Sequence, residues 1–273
     1  MYKTAYLTDV GLKRKENEDA LLVADACGLF VVADGMGGHA RGEVASRMVI
    51  ESFRQMMCMD DDSTVAFNYR DIDEEETIPY LFDDNDDATI AYTDRTLLNN
   101  TLNSVVETAT HKIVTYAKEK SITSPIGTTV VGLYKIRNEE EMALFHLGDS
   151  RAYRVRDGRI KKLTTDHSKY EKMKQSGKYS EEELSKVSRN SITKAIGNFR
   201  VMRLEISYLD LEQGDIYLLC SDGVSDLVHA TELLEIVESS KNSLESAVLD
   251  IKKLVYERGA KDNLSIILVS YKL

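Results

Sequence analysis

Three absences narrow the class of protein to which this sequence can belong. Its three cysteines, Cys27, Cys58 and Cys220, are odd in number and widely scattered, which argues against a disulfide framework and against a thiolate metal site. We therefore expect reduced thiols in a cytoplasmic protein, with Cys220 in the core. No apolar run reaches transmembrane length and the amino terminus carries no apolar signal region, so no membrane association is expected.

The chain also lacks an excess of basic residues. Its net charge is −11, and the segment 60–94 alone holds thirteen acidic residues against one arginine. The remainder is close to neutral, so no basic face for nucleic acid is predicted. Dense like charges disfavour compaction, and residues 60–94 are interpreted as an acidic insertion. It is either a solvated surface excursion or a charged segment that steers a basic partner.

The size and patterning predict one α+β domain over residues 1–273. With 273 residues, 42% of them hydrophobic, the chain can bury an ample core. Apolar strand patterns precede, separate and follow pairs of amphipathic helix patterns, without regular β-α alternation. This order favours antiparallel sheets over a doubly wound parallel sheet. No repeat or linker divides the chain, and we expect a monomer.

Carboxylates recur at the ends of the predicted apolar strands. The strand before Asp34-Gly35 is short and rich in valine, and a glycine-rich turn is expected to end it. Taken alone, Asp34 is as consistent with an ordinary turn as with a binding site. At four further positions a carboxylate is likewise expected at the end of a rigid strand. They are Glu18-Asp19, Asp149, Asp222 and Asp262.

If these strand ends converge, the carboxylates need a counter-ion, because like charges in one small volume cannot all ionise. An all-oxygen set without thiols or a closely spaced histidine pair favours Mg²⁺ or Mn²⁺ over Zn²⁺. Two such ions about 3.5–4 Å apart can activate water for attack on phosphorus. Arg14, four residues before Glu18, offers a fork for two phosphate oxygens, although it also fits a solvated loop arginine.

Six motifs in order resemble the metal-dependent protein phosphatase (PPM, type 2C) family, and two more resemble the flap of its bacterial branch. The six are 11–19 (GLKRKENED), 32–39 (VADGMGGH), 127–129 (GTT), 146–151 (HLGDSR), 221–226 (SDGVSD) and 262–263 (DN). The flap motifs are 163–168 (LTTDHS) and 189–197 (RNSITKAIG). The resemblance spans nearly the whole chain.

The resemblance implies a central sandwich of two antiparallel sheets flanked by pairs of antiparallel helices, with a small flap near residues 164–197. It implies hydrolysis of phosphoserine and phosphothreonine on proteins by a hydroxide that bridges two Mn²⁺ or Mg²⁺ ions. A serine/threonine kinase that makes these phosphoesters is the implied partner. Ser150 and Ser221 would then be structural residues and not nucleophiles.

The same resemblance assigns roles to individual residues. Asp34 would bridge two ions, the Gly35 carbonyl would bind one of them, and Arg14 would hold the phosphate. The remaining implied ligands are Asp222 and Asp262 for the first ion, Glu18 and Asp19 for the second, and Asp149, Asp222 and Asp226 for a third, weaker position.

The motifs depart from the family pattern beside the bridging aspartate. Many members have a histidine directly after the Asp-Gly pair, proposed as the general acid, and here that residue is Met36. His39 is a candidate proton donor, with a structural role at the start of a helix as its alternative. Two other functions are compatible with the sequence: a phosphoprotein-binding pseudophosphatase, and a phosphatase for small phosphoesters. The complete set of carboxylates favours the active protein phosphatase.

Overall fold

The computed structural model describes residues 2–37, 41–58, 64–66, 95–137, 139–188, 190–197, 202–240 and 243–271, with 64–66 described as backbone only. The strands in this part of the chain are β1 (Tyr2–Asp9), β2 (Asp19–Ala24), β3 (Leu29–Met36), β4 (Thr64–Ala66), β5 (Gly127–Thr128), β6 (Val130–Lys135), β7 (Glu141–Leu147), β8 (Arg151–Arg156), β9 (Arg159–Lys162), β10 (Ile196–Gly197), β11 (Glu205–Asp210), β12 (Ile216–Cys220) and β13 (Leu264–Tyr271). The helices are α1 (Arg41–Met57), α2 (Arg95–Glu119), α3 (Lys169–Gln175), α4 (Glu181–Ser185), α5 (Asp222–Ser225), α6 (Ala230–Ser239) and α7 (Leu244–Glu257).

The strands form two antiparallel sheets. One has five strands in the order β1-β13-β12-β8-β9. The other has eight, with the path β10-β5-β3-β6-β7-β11, and β2 joins it by pairing with β3 and β4. Each strand pair described is antiparallel, as the sequence predicts for an α+β protein.

Three apolar clusters hold four layers together. One lies between the eight-stranded sheet and α1 and α2, a second between the five-stranded sheet and α5 to α7, and a third between the two sheets. Side chains on β3 alternate accordingly. Leu29, Val31 and Ala33 face the helices, while Phe30 and Val32 face the other sheet. The sandwich flanked by helices, predicted from the sequence, is confirmed.

The segment 164–197 connects β9 to β10 and carries two short capped helices. Ser168 accepts a hydrogen bond from the Glu171 amide at the start of α3. Ser180 and Glu183 form a reciprocal capping box at the start of α4, which satisfies amides left free in the first turn. An isolated bridge between Ser168 and Ile192 closes the base of the segment. We call residues 164–197 the flap.

One expectation about the glycine-rich stretch was wrong. The turn was placed directly after Asp34, but β3 continues through Asp34 and Gly35 to Met36. The reason is a partner strand, since Gly35 and Met36 pair with Thr128 and Gly127 of β5. A Cβ on Gly35 would lie 2.2 Å from the Gly42 carbonyl oxygen, so glycine serves close backbone packing at this position.

The expectation of three reduced cysteines was wrong for two of them. Cys27 in the β2–β3 turn and Cys58 just after α1 form a disulfide, with Cα atoms 5.8 Å apart. The fold brings together two ends that are 31 residues apart in sequence, a contact that spacing alone does not reveal. Cys220 is a buried free thiol, as predicted. Reduced thiols therefore no longer support the cytoplasmic assignment.

Two further expectations concern membranes and the acidic insertion. Among the helices of the described residues, none combines the length and apolarity needed to span a bilayer. Of the predicted insertion 60–94, the strand β4 pairs with β2, and the remainder lies outside the described residues. The two hypotheses about its role stay predictions.

Candidate active site

The apolar layer between the sheets becomes polar at one end. Side chains of β2 and β3 that face the second sheet alternate in steps of two, which places Asp19 in line with Leu21 and Asp34 in line with Val32. Asp19 and Asp34 are also direct partners in the antiparallel register of β2 and β3. Two of the predicted carboxylates thus lie side by side because of strand pairing.

The second sheet contributes serines to the same layer. The Ser221 hydroxyl donates to Asp19 Oδ2 at 2.8 Å and accepts the Ser265 amide at 3.0 Å. The Ser221 amide in turn donates to the Ser265 carbonyl at 3.1 Å. These bonds connect the two sheets and fix the Asp19 carboxylate. The Ser221 hydroxyl is occupied in joining the two sheets, and its expected role as a structural residue stays a prediction.

Asp222 and Asp226 are placed by the short helix α5. Asp222 is its first residue, and its carboxylate lies close enough to Asp34 to raise the pKa of that carboxyl. Asp226 follows the helix, donates its amide to the Asp222 carbonyl at 2.8 Å and accepts the Asn190 side chain of the flap at 2.9 Å. The Asp226 carboxylate is exposed at the rim, whereas Asp222 is half-buried.

Asn263 fixes the loop that carries Arg14 and Glu18. Its Oδ1 accepts the Glu18 amide at 2.9 Å, and its Nδ2 donates to the carbonyls of Val10 and Glu16 at 3.0 and 2.9 Å. Three bonds from one buried amide hold both ends of the loop against β13. The sequence analysis did not predict this role, because it identified Asn263 only as part of a motif.

Arg14 lies exposed at the rim of the site, beside the Asp262 carboxylate. Its Nη2 donates to Asp262 Oδ2 at 2.7 Å. Glu18 is half-buried behind it, and a Cβ on Gly42 would lie 2.8 Å from Glu18 Oε2. The structure thus brings both loop residues to the group of aspartates.

Burial and mutual repulsion raise the pKa values of the clustered carboxyls. Burial is the larger cause for Asp19 and Asp149, whose pKa values rise to about 7, and for Asp222, whose pKa rises to about 6. Burial and then the neighbouring Asp19 and Asp222 raise the pKa of Asp34 well above its usual range. Ionising the whole group is therefore costly unless a cation compensates.

Asp149 provides an independent observation about that cation. The side chain is buried (5% exposed), and its Oδ1 has no hydrogen-bond partner among the described residues. The neighbouring hydroxyls of Thr129 and Ser150 are bonded to each other at 2.6 Å. A buried carboxylate oxygen without a donor is costly, and a divalent cation with oxygen ligands satisfies it.

His146, His167 and Glu205 form a second polar group, beside the base of the flap. Their potential ligand atoms lie within 4.8 Å of one another. His167 Nδ1 accepts the Gly148 amide, so its Nε2 carries the proton that bonds Glu205 at 3.1 Å. His146 Nε2 accepts the Thr165 amide at 3.4 Å, which assigns the proton to Nδ1, a buried atom without a hydrogen-bond partner among the described residues.

In this arrangement each imidazole has one accepting nitrogen and one protonated nitrogen. Burial lowers the pKa of His146 to about 4 and also lowers the pKa of His167, so both rings stay neutral near pH 7. Neither ring offers a second free lone pair to a cation. The group is a hydrogen-bonded contact between β7, the flap and β11.

Of the predicted site residues, the structure brings together nine. They are Arg14, Glu18, Asp19, Asp34, Gly35, Asp149, Asp222, Asp226 and Asp262. The tenth, His39, lies outside the described residues, so its role as a proton donor stays a prediction. The supporting residue Ser265 was missed, although the period-two alternation of β13 could have located it.

Comparisons with known proteins agree with this geometry. A family model described as Protein phosphatase 2C matches residues 13–256. The serine/threonine phosphatase stp of Listeria monocytogenes serovar 1/2a is 28% identical over 272 residues, covering 98% of this chain and 95% of that protein. The Mycobacterium tuberculosis serine/threonine phosphatase PstP/Ppp has a crystal structure with a TM-score of 0.79 at 26% identity, covering 100% of this chain and 99% of that one.

A further solved structure shares the fold. The catalytic domain of PstP, solved in complex with two manganese ions, aligns with a TM-score of 0.76 at 24% identity, covering 100% of this chain and 99% of that one. The family match covers most of the chain, and its matched residues include Arg14, Asp34 and Asp222. This chain therefore belongs to the protein phosphatase 2C family, the serine/threonine phosphatases that its ordered motifs predict.

Proposed function

We propose that this protein hydrolyses phosphoserine and phosphothreonine on proteins with the help of two Mn²⁺ or Mg²⁺ ions. The observation that carries the proposal is the group of buried carboxylates with raised pKa values, bordered by Arg14. Named relatives with the same fold are serine/threonine phosphatases, and one of them binds two manganese ions. Its substrates would be made by serine/threonine kinases, which produce these phosphoesters.

The donor set fits hard divalent cations. Among the described residues the nearby carboxylates offer only oxygen ligands, and the free Oδ1 of Asp149 lacks the partner that a cation would supply. We assign one ion to Asp34, the Gly35 carbonyl, Asp222 and Asp262, and a second to Asp34, Glu18 and Asp19. A third, weaker position belongs to Asp149, Asp222 and Asp226. When bound, such ions supply Lewis acidity and make water a nucleophile near neutral pH.

The protein's own residues orient and anchor the reacting groups. Arg14 is exposed at the rim and can exchange Asp262 for two oxygens of a phosphate, because its planar fork fits either acceptor. The Ser150 and Ser221 hydroxyls are occupied by hydrogen bonds, so neither is poised as a nucleophile. Water then attacks phosphorus and the bond to the serine or threonine oxygen breaks. The proton that the water loses balances the one that the leaving oxygen takes up.

The test is turnover of a phosphothreonine peptide by the purified full chain. We expect activity with Mn²⁺, no activity after EDTA, and a loss of at least about 10³-fold in Asp34→Asn, which is several kcal/mol of transition-state stabilisation. Asp157→Asn is the matched control, because Asp157 lies in the β8–β9 turn with φ 50°, a conformation that asparagine adopts readily. A wild-type protein that is inert with Mn²⁺ would refute the proposal, and hydrolysis restricted to small phosphoesters would reassign the substrate.

A further inference from the structure

Arg151 lies where β8, the flap and the helix α5 meet. Its Nε and Nη2 donate to the Asp166 carboxylate, the latter at 2.8 Å, and its Nη1 donates to the Ser225 carbonyl at 3.1 Å. Both charged side chains are largely buried, with 19% of Arg151 and 12% of Asp166 exposed. Lys162 Nζ also donates to Asp166 Oδ1 at 2.8 Å. Burial is the largest single influence on Asp166 and would raise its pKa, but the hydrogen bonds and charges of Arg151 and Lys162 together hold the pKa below its usual range.

The Ser225 carbonyl connects Arg151 to two proposed metal ligands, Asp222 and Asp226. Ser225 is the last residue of α5, the single turn that begins with Asp222 and is followed by Asp226. A hydrogen bond to the Ser225 carbonyl therefore fixes the end of the turn between these two carboxylates. α5 is too short to be stable alone, so its position depends on contacts of this kind.

The Asp166 carboxylate connects Arg151 to the segment that carries Asp149. Asp166 precedes His167, whose amide donates to the Gly148 carbonyl at 2.8 Å and whose Nδ1 accepts the Gly148 amide at 3.1 Å. Gly148 is the residue directly before Asp149. The guanidinium of Arg151 thus spans the gap between the segment that holds Asp149 and the turn that holds Asp222 and Asp226.

We propose that Arg151 is a positioning residue for the third ion: it sets the spacing between Asp149 and the α5 turn so that a third divalent cation can bind between them. The proposal rests on the proposed function. It needs the fork of arginine and not merely its charge, because two nitrogens hold Asp166 while the third holds a backbone carbonyl. Arg151 itself contacts no substrate in this scheme.

The chain offers a matched control at the other end of β8. Arg156 makes the same forked contact with a buried aspartate, since its Nε and Nη2 each lie 2.6 Å from the Asp215 carboxylate. Its other partners are Glu212 and the Asp210 carbonyl, in the β11–β12 connection. None of these residues is a proposed ligand, so Arg156→Lys reports the structural cost of losing a fork.

The experiment is a Mn²⁺ titration of the full-length protein, with free Mn²⁺ measured by electron paramagnetic resonance. We expect wild type to bind two ions tightly and a third weakly. Arg151→Lys should weaken the third step about 10–100-fold, the usual cost of losing a residue that orients ligands, and leave the first two unchanged. Arg156→Lys should reproduce the wild-type isotherm.

A second variant tests the proposal even if Arg151→Lys fails to fold. Asp166→Asn removes the negative charge that accepts the Arg151 hydrogen bonds, and it should also weaken binding of the third ion selectively. The double variant with Arg151→Lys should bind the third ion about as weakly as either single variant, because both changes act on one contact. The proposal is overturned if wild type binds only two ions, if Arg151→Lys matches wild type, or if both lysine variants weaken all steps alike. A wild type that binds no Mn²⁺ would instead overturn the proposed function.

Discussion

The two ends of strand β8 carry the same contact in different surroundings. At each end an arginine forms a fork with a largely buried aspartate, Arg151 with Asp166 and Arg156 with Asp215. The Arg156 pair holds a turn between strands, and Tyr217 and the Glu212 amide complete the bonding of Asp215. The Arg151 pair holds segments that present carboxylates. The same chemistry thus supports the fold at one end and, we infer, the geometry of a site at the other.

The largest effect that separates the two ends is expected from Asp215→Ala. Removing one partner of a buried ion pair costs about 3–5 kcal/mol of unfolding free energy, because the remaining groups lose their acceptor. The Asp215 side chain is 0% exposed, and three groups donate to it. We expect a large drop in stability to urea with kcat per folded molecule unchanged. A comparable fall in kcat would show that the far end does affect the site.

A smaller effect, on activity and not on stability, is expected from Arg14→Ala. Loss of a charged group that holds the transferred phosphate costs about 100-fold in kcat/KM, or about 2.7 kcal/mol. The ion pair of Arg14 with Asp262 is exposed (50% and 39%), so stability should change by less than about 1 kcal/mol. Steady-state kinetics and a urea titration on one preparation give both values. Unchanged kcat/KM would remove Arg14 from the phosphate site.

The last effect is expected from pH and compares the carboxylates near Arg151 with Asp215 near Arg156. The folded-state pKa values of Asp19, Asp149 and Asp222 are raised to about 7, 7 and 6, so the folded protein binds more protons than the unfolded chain between about pH 4 and 7. Stability in EDTA should therefore fall as pH rises through this window. The pKa of Asp215 is lowered in the folded protein, so this residue stabilises the fold at neutral pH. That stabilisation is lost only in more acidic solution, as Asp215 becomes protonated.

The measurement is the melting temperature in EDTA at pH 5 and pH 7.5. We expect a decrease, by about 2–4 °C for each kcal/mol of stability that the raised pKa values remove in a chain of this size. Saturating Mn²⁺ should abolish the decrease, because a cation removes the repulsion that raises the pKa values. A melting temperature that rises with pH in EDTA would mean that the carboxylates are not coupled as described.

What the sequence predicted well depends on local pattern. Apolar runs located the strands that carry Asp34, Asp149 and Asp222, and a carboxylate at the end of each was enough to propose one shared site. Amphipathic patterns likewise predicted pairs of helices, which the structure has as α1 with α2 and α6 with α7. The ordered motifs then supplied the fold, because all of them must be satisfied at once.

What the sequence could not predict depends on contacts between distant segments. Ser221 and Asp19 are 202 residues apart and meet only because the two sheets pack face to face. Many aspartates could have paired with Arg151, and the fold selects Asp166. The extension of β3 past Asp34 follows from its pairing with β5, which starts at residue 127. The Cys27–Cys58 bond has the same origin.

The continuation of β3 through Asp34 has a consequence for how this chain can vary. Side chains alternate between faces of a sheet, so inserting or deleting one residue between Phe30 and Asp34 would turn the carboxylate from the space between the sheets towards α1 and α2. The paired Asp19 would then face a different partner. Conservative substitutions at the apolar positions of this hairpin keep the register, but a change in its length does not. The number of residues between Phe30 and Asp34 is therefore itself a condition for activity.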